Sequence, residues 1–166
     1  MGTITFKGTE IHTCGDLPEK GKKAPDFTLT NTAMSDCKMA DFAGRKLMLN
    51  IFPSVDTSVC AMSVRRFNED AAGLGDVAVL CVSMDLPFAQ ERFCGAQKIE
   101  NVQTLSAFRS PSFGEDYGVR IVDGPLAGLF ARTVVGIDEQ GMVIYTQQVP
   151  EIAEEPDYEA ALQALR

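Results

Sequence analysis

KLMLNIFPSVDTSVCAMSVRRFNEDAAGLGDVAVLCVSM, residues 46–84, decides how this chain folds. Lys46 to Phe52 is a short apolar run of the kind found in strands buried on both faces, and it stops at Pro53. Cys60, Val64, Phe67, Ala71 and Leu74 then fall at intervals of 4, 3, 4 and 3, which is one face of a helix. Val77 to Met84 (VAVLCVSM) is a second buried strand. A strand, a helix and another strand in this order make a crossover between parallel neighbours.

The flanking sequence extends that unit. Asp85-Leu86-Pro87 caps a short helix running to about Ala96, with proline suited to the first turn. Val102 to Leu105 is a third strand. Arg132 to Asp138 and Met142 to Gln148 flank Glu139-Gln140-Gly141, a turn signal, so these strands pair antiparallel. A last helix follows Pro156, with Tyr158, Ala161, Leu162 and Leu165 facing inward. Upstream, Thr3 to Phe6 and Glu10 to Thr13 alternate around Lys7-Gly8 as a hairpin. Residues 15–26 read as a surface loop, and Phe27 to Asn31 with Asp36 to Met39 as a second short pair. The expectation is one α/β domain over residues 1–166: a mixed sheet with helices on both faces and an N-terminal β-hairpin.

Composition narrows the function. At 166 residues, 45% hydrophobic and 23% charged, the chain has the balance of a soluble globular protein. Its net charge is −8 without a basic cluster, which argues against nucleic acid and anionic membrane as partners. No apolar run is long enough to span a bilayer, and the N-terminus has no apolar signal core, so a cytoplasmic protein is expected. Five cysteines, at 14, 37, 60, 81 and 94, are separated by 23, 23, 21 and 13 positions. No C-x-x-C exists, and one histidine, His12, is too few for a histidine-rich metal site. His12 and Cys14 share a strand face, but a plain hairpin explains them. Gly73 to Ala78 fits G-x-G-x-x-A, yet it follows a helix and precedes a strand, the reverse of the dinucleotide-binding context.

The sharpest chemical feature is Cys60 in the first turn of a helix, after a buried strand and a proline-led loop. Unpaired amides and the helix dipole favour negative charge there, and thiols so placed ionise more readily. Moving a thiol from ~8.5 to ~6 takes ~3.4 kcal/mol of preferential stabilisation of the thiolate. A helix end supplies only ~0.5–2 kcal/mol. A second positive group, an arginine from elsewhere, is therefore required. On position alone Cys60 reads equally well as a core residue on the apolar stripe.

Resemblance separates the two readings. Pro-x-x-x-Thr-x-x-Cys, here Pro53, Thr57 and Cys60, is similar to the active-site pattern of the peroxiredoxins. LNIFPSVDTSVC (49–60), DLPFAQERFC (85–94) and EEPDYEAAL (154–162) resemble the bacterial thiol peroxidase subfamily, of the atypical two-cysteine type, over essentially the whole chain. That resemblance implies a thioredoxin-like fold and reduction of hydroperoxides. It implies that Cys60 is the peroxidatic nucleophile, that Thr57 offers its hydroxyl to the peroxide and the thiolate, and that Pro53 shields the site. It gives Arg132 as the arginine that hydrogen-bonds the thiolate and substrate, although spacing alone reads Arg132 as an exposed strand-end residue. It gives Cys94 as the resolving cysteine of a Cys60–Cys94 intramolecular disulfide. The residues alone also allow Cys94 to be a core residue beside Phe88 and Phe93. Thioredoxin as reductant, a homodimer, a preference for alkyl over hydrogen peroxide and no cofactor or metal are implied as well. Cys14, Cys37 and Cys81 read as structural. Two other functions stay open at this level: a disulfide oxidoreductase on the same fold, and a non-enzymatic redox sensor or holdase.

Overall fold

A computed structural model describes residues 2–166. In chain order its elements are β1 (Thr3–Phe6), β2 (Thr9–His12), β3 (Thr28–Thr30), β4 (Asp36–Lys38), a 3-10 turn at Met39–Phe42, β5 (Lys46–Ile51), α1 (Ser58–Ala71), β6 (Val77–Ser83), α2 (Pro87–Gln97), β7 (Gln103–Ser106), α3 (Pro111–Asp116), β8 (Thr133–Ile137), β9 (Val143–Gln148) and α4 (Tyr158–Leu165).

Seven strands form one sheet in the order β4-β3-β7-β6-β5-β8-β9. The middle three are parallel: Lys46 pairs with Val77 through Ile51 with Val82, and Leu80 with Gln103 through Ser83 with Ser106. β8 returns antiparallel to β5, and β9 and β3 are also antiparallel to their inner neighbours. All seven residues of β6 are buried, as a central strand covered on both faces requires.

The two-residue period of the strands sorts their side chains into two cores. Met48, Val77, Val79 and Val134 pack with Phe67 of α1 and with Tyr158, Ala161, Leu162 and Leu165 of α4. Further along the same face, Cys81 joins Phe52, Cys60 and Val64, against which Phe93 of α2 packs. On the other face Leu47, Leu49, Leu80 and Val82 meet Phe113 of α3, Tyr117 and Phe130. Phe67 and Tyr158 meet edge-on at 5.0 Å, a contact worth ~0.5–1.5 kcal/mol beyond the area it buries.

Several details differ from the sequence reading. The second hairpin strand is Thr9–His12, one residue earlier than expected. Lys7 and Gly8, with φ of 51 and 81, form a two-residue turn that pairs Phe6 with Thr9. Helix α3 has no counterpart in the sequence reading; six residues are too few to show helical periodicity. Asp85 does not cap α2. Leu86 holds the cap position without a side-chain bond, and the Asp85 carboxylate turns toward the loop after β5. Phe88 is 64% exposed, so it does not pack beside Cys94 as a core neighbour.

Candidate active site

The register of β5 with β8 assembles the site. Ile51 pairs with Thr133, so the chain leaving β5 through Phe52 and Pro53 runs beside the residue that precedes β8, Arg132. Residues 72 positions apart thereby meet: Arg132 Nη2 lies 3.3 Å from Cys60 Sγ. Arg132 is only 2% exposed and Cys60 not at all.

The guanidinium is held from behind. Its Nε and Nη2 both donate to the carbonyl of Ile152, at 3.0 and 2.9 Å. Its Nη1 is buried with no hydrogen-bond partner among the described residues. A buried, unpaired donor costs free energy unless something arrives to accept from it. Arg132 is therefore far from the exposed strand-end residue that spacing alone implies.

Cys60 is the third residue of α1. Thr57 precedes the helix with an extended backbone, φ −97 and ψ 144. The first intrahelical bond runs from the Ala61 amide to the Thr57 carbonyl, so the amides of residues 58–60 precede the helical ladder. The turn is tied to the sheet below it. Ser63 Oγ donates to the Cys60 carbonyl at 2.8 Å and accepts from the buried Asn50 of β5 at 3.2 Å.

Thr57 Oγ1 donates its hydrogen to the Ser54 carbonyl, at 3.0 Å, which leaves its lone pairs free to accept. Pro53 is buried at the base of the same opening. Pro53, Thr57 and Arg132 line a cavity of about 340 Å³, whose walls are mainly apolar: Phe6, Leu126, Leu129 and Ile152. Phe6 comes from the hairpin and the two leucines from the loop before β8. No sequence pattern marks these wall residues.

Cys94 lies elsewhere. It is half-buried near the end of α2, with Sγ 3.6 Å from Thr104 Oγ1 on β7. Burial pushes its thiol up from the ordinary value, and the Thr104 bond pulls it partly back. It opens on a second cavity of about 500 Å³, lined also by Thr32, Lys98 and Gln103, with no residue in common with the first. Both cysteines are free thiols. The strand carrying Cys81 stands between them, and that thiol, fully buried, is pushed up to about 12 by desolvation.

The remaining sequence candidates have ordinary partners. The His12 ring nitrogens lie 2.6 Å from Asp123 and 3.1 Å from Glu10, while Cys14 Sγ donates to the Gly114 carbonyl at 3.3 Å. Gly73 to Ala78 runs from the end of α1 into β6, with Gly75 at φ 70.

A thiol buried at a helix N-terminus beneath an arginine, on a sheet of this order, defines the class of thiol-based redox enzymes on a thioredoxin-like fold. The Redoxin family model matches residues 19–162. Thiol peroxidases of Mycobacterium tuberculosis and Corynebacterium glutamicum are 59% and 56% identical over 165 residues, covering 99% of each chain. The structure of a peroxiredoxin-like protein from Aquifex aeolicus superimposes with a TM-score of 0.93 at 38% identity, covering 98% of this chain and 95% of that one. The chain belongs to the Redoxin family and, within it, to the bacterial thiol peroxidases, peroxiredoxin-type peroxidase enzymes.

Proposed function

We propose that the chain reduces alkyl hydroperoxides and hydrogen peroxide through Cys60, with Cys94 as resolving thiol and thioredoxin as reductant. The observation that carries the proposal is the 3.3 Å contact between Arg132 Nη2 and the fully buried Cys60 Sγ, beside a mainly apolar cavity that Arg132 lines. The guanidinium is the second positive group that a helix end alone does not provide.

The Cys60 thiolate attacks the terminal peroxide oxygen. The O–O bond breaks, the sulfur becomes a sulfenic acid, and the leaving alkoxide takes up a proton to depart as alcohol, or as water from hydrogen peroxide. Thr57, with its hydrogen committed to Ser54, accepts from the peroxide O–H. Arg132 Nη1, the donor without a protein partner, is available for the peroxide oxygens as charge shifts along the breaking bond. Pro53 keeps water from the sulfur. The apolar walls suit an alkyl substituent.

The Cys94 thiol then condenses with the sulfenic acid, forming a disulfide and releasing water. A disulfide needs Cα atoms within about 7 Å. Cys60 is buried beneath Arg132, whereas Cys94 opens on the other cavity, so bonding in this reading calls for local unwinding around residues 58–62 or 92–97. Thioredoxin reduces the disulfide and is itself oxidised. This reading includes one domain over the whole chain, a homodimer and a cytoplasmic location; among the described residues, no helix is long and apolar enough to cross a membrane.

The test couples cumene hydroperoxide consumption to thioredoxin, its reductase and NADPH, with mass-spectrometric mapping of the oxidised protein. Turnover with a mapped Cys60–Cys94 disulfide is expected. Disulfide exchange on insulin without peroxide turnover would instead make the chain a disulfide oxidoreductase.

A further inference from the structure

We propose that Asp85 is a positioning residue for the peroxidase reaction, clamping the Ser54–Val55 loop that sets the orientation of the Thr57 hydroxyl. The inference rests on the reading of Cys60 and Thr57 given above.

The Asp85 carboxylate is nearly saturated with donors from that loop and from β6. Oδ1 accepts from Ser54 Oγ at 2.7 Å; Oδ2 accepts from the Val55 amide at 2.8 Å and from Ser83 Oγ at 2.7 Å. Charge-assisted bonds of this kind are roughly twice as strong as neutral ones. The residue is itself fixed at both ends of its backbone. Its amide donates to Ser83 Oγ at 3.3 Å, and its carbonyl accepts from Ser106 Oγ. Ser83 Oγ also accepts at 3.1 Å from the fully buried carboxamide of Gln90. The clamp therefore stands on the ends of two central strands and the first turn of α2.

What the clamp holds is the loop from which Thr57 takes its orientation. The Ser54 carbonyl receives both the Thr57 amide, at 3.2 Å, and the Thr57 hydroxyl, at 3.0 Å. Ser54 Oγ, oriented by Asp85, accepts in turn from the Asp56 amide at 3.1 Å. Where Ser54 sits thus decides where the lone pairs of Thr57 point. Among the described residues, the bonds that tie the Ser54 and Val55 polar groups across to β6 run through this one carboxylate. Asp85 touches neither Cys60 nor the cavity, so its effect is indirect.

The experiment measures, by rapid mixing, the second-order rate of Cys60 oxidation in a single turnover, well below each variant's melting temperature. Asp85→Ala is expected to lower that rate roughly 10- to 100-fold, the effect of displacing a catalytic group by about an ångström. Ser54→Ala, which keeps the carboxylate and its bond to Val55, is expected to lower it less; it carries the test alone if Asp85→Ala does not fold. Leu162→Ala, in the core under α4, lowers the melting temperature and is expected to leave the rate per folded molecule unchanged. Wild-type rates in both loop variants, or an equal loss of rate in Leu162→Ala, would overturn the proposal. Cys60→Ser runs in the same assay: if it consumes peroxide, both this inference and the reading of Cys60 fall, whereas a silent Cys60→Ser beside wild-type-like loop variants sinks the Asp85 role alone.

Discussion

The two halves of the proposed site, around Cys60 and around Cys94, are built on opposite terms. Around Cys60 each polar side chain is anchored by at least one bond: Arg132 by the Ile152 carbonyl, the first turn of α1 by Ser63 and Asn50, Thr57 by Ser54. Around Cys94 the bonds are few. Its sulfur has one long contact to Thr104, and α2 ends one turn later at Lys98, in the left-handed conformation with φ 55. A residue other than glycine in that region carries strain, which release of the helix end relieves. The difference teaches where motion belongs in such an enzyme. In the proposed cycle, attack on a peroxide needs fixed distances while disulfide formation needs one thiol to travel, and the weaker bonding lies with Cys94.

Removal of the fixed thiol tests the contrast most severely. Cys60→Ser is expected to reduce peroxide consumption to the uncatalysed background while leaving the circular dichroism spectrum unchanged. A serine hydroxyl stays protonated at neutral pH, and among the described residues no other cysteine sulfur accepts a hydrogen bond from an arginine. Appreciable turnover by this variant would move the chemistry to another thiol.

Arg132→Met keeps most of the side-chain volume and removes the charge. A hydrogen bond to a charged group contributes ~1.5–3 kcal/mol, so first-turnover oxidation of Cys60 should slow roughly 10- to 100-fold. Alkylation of Cys60 by iodoacetamide at pH 7 should slow in parallel. Unchanged rates in both assays would show that the 3.3 Å contact does no electrostatic work and would turn attention to Arg65, Arg66 and Arg120.

At the end proposed to move, Cys94→Ser should react with the first equivalent of peroxide at the wild-type rate. It should then stall as sulfenic acid, or proceed to sulfinic acid in excess peroxide. In wild type, amide exchange over residues 92–97 should rise on oxidation and fall on reduction. Sustained wild-type turnover of Cys94→Ser with thioredoxin would make the enzyme a one-cysteine peroxidase and remove the reason for the loosely held helix.

The parts of this arrangement legible in the sequence are those with a repeating pattern. β5, α1 and β6 announce themselves through apolar runs and a 4-3-4-3 stripe, and the hairpin of β8 and β9 through its Gly141 turn. Residues 107–131 do not, because irregular contacts hold them. Phe113 stacks on Tyr117 at 4.6 Å, and the Tyr117 hydroxyl donates to the Pro25 carbonyl at 2.7 Å. Gly118, at φ 67, sits so close to Asp16 that a Cβ would fall 2.1 Å from its carbonyl oxygen. Each of these depends on a partner remote in sequence, which no local period encodes. The site divides in the same way. Pro53, Thr57 and Cys60 stand together as a local pattern that the resemblance picks out; Arg132 also came from the resemblance, with no local pattern to mark it, because its place beside Cys60 depends on the pairing of β5 with β8. Asp85 read as a helix cap, since an aspartate before a proline at a helix start has that meaning locally.

Cys81 stands between the two halves, and its effect on catalysis should be the smallest, with its ionisation felt only in alkali. Burial raises its thiol from 9.0 to about 12, opposed by the bond from Asn50. The unfolded chain releases this proton first, so above pH 9 the folded state binds more protons than the unfolded one. Its contribution to stability is whole below pH 9 and declines as pH rises toward about 12, by on the order of 1 kcal/mol per pH unit. Cys81→Ala should cost about 1 kcal/mol at pH 7 through the small cavity it leaves. It should also flatten the fall of the urea midpoint between pH 9 and 11, while first-turnover peroxide reduction at pH 7 stays within about twofold of wild type. Parallel midpoint curves for the two proteins would mean that Cys81 ionises as readily folded as unfolded. A strong loss of peroxide reactivity would mean instead that the sulfur between the two regions takes part in the chemistry, and that the division into a fixed half and a mobile half is drawn in the wrong place.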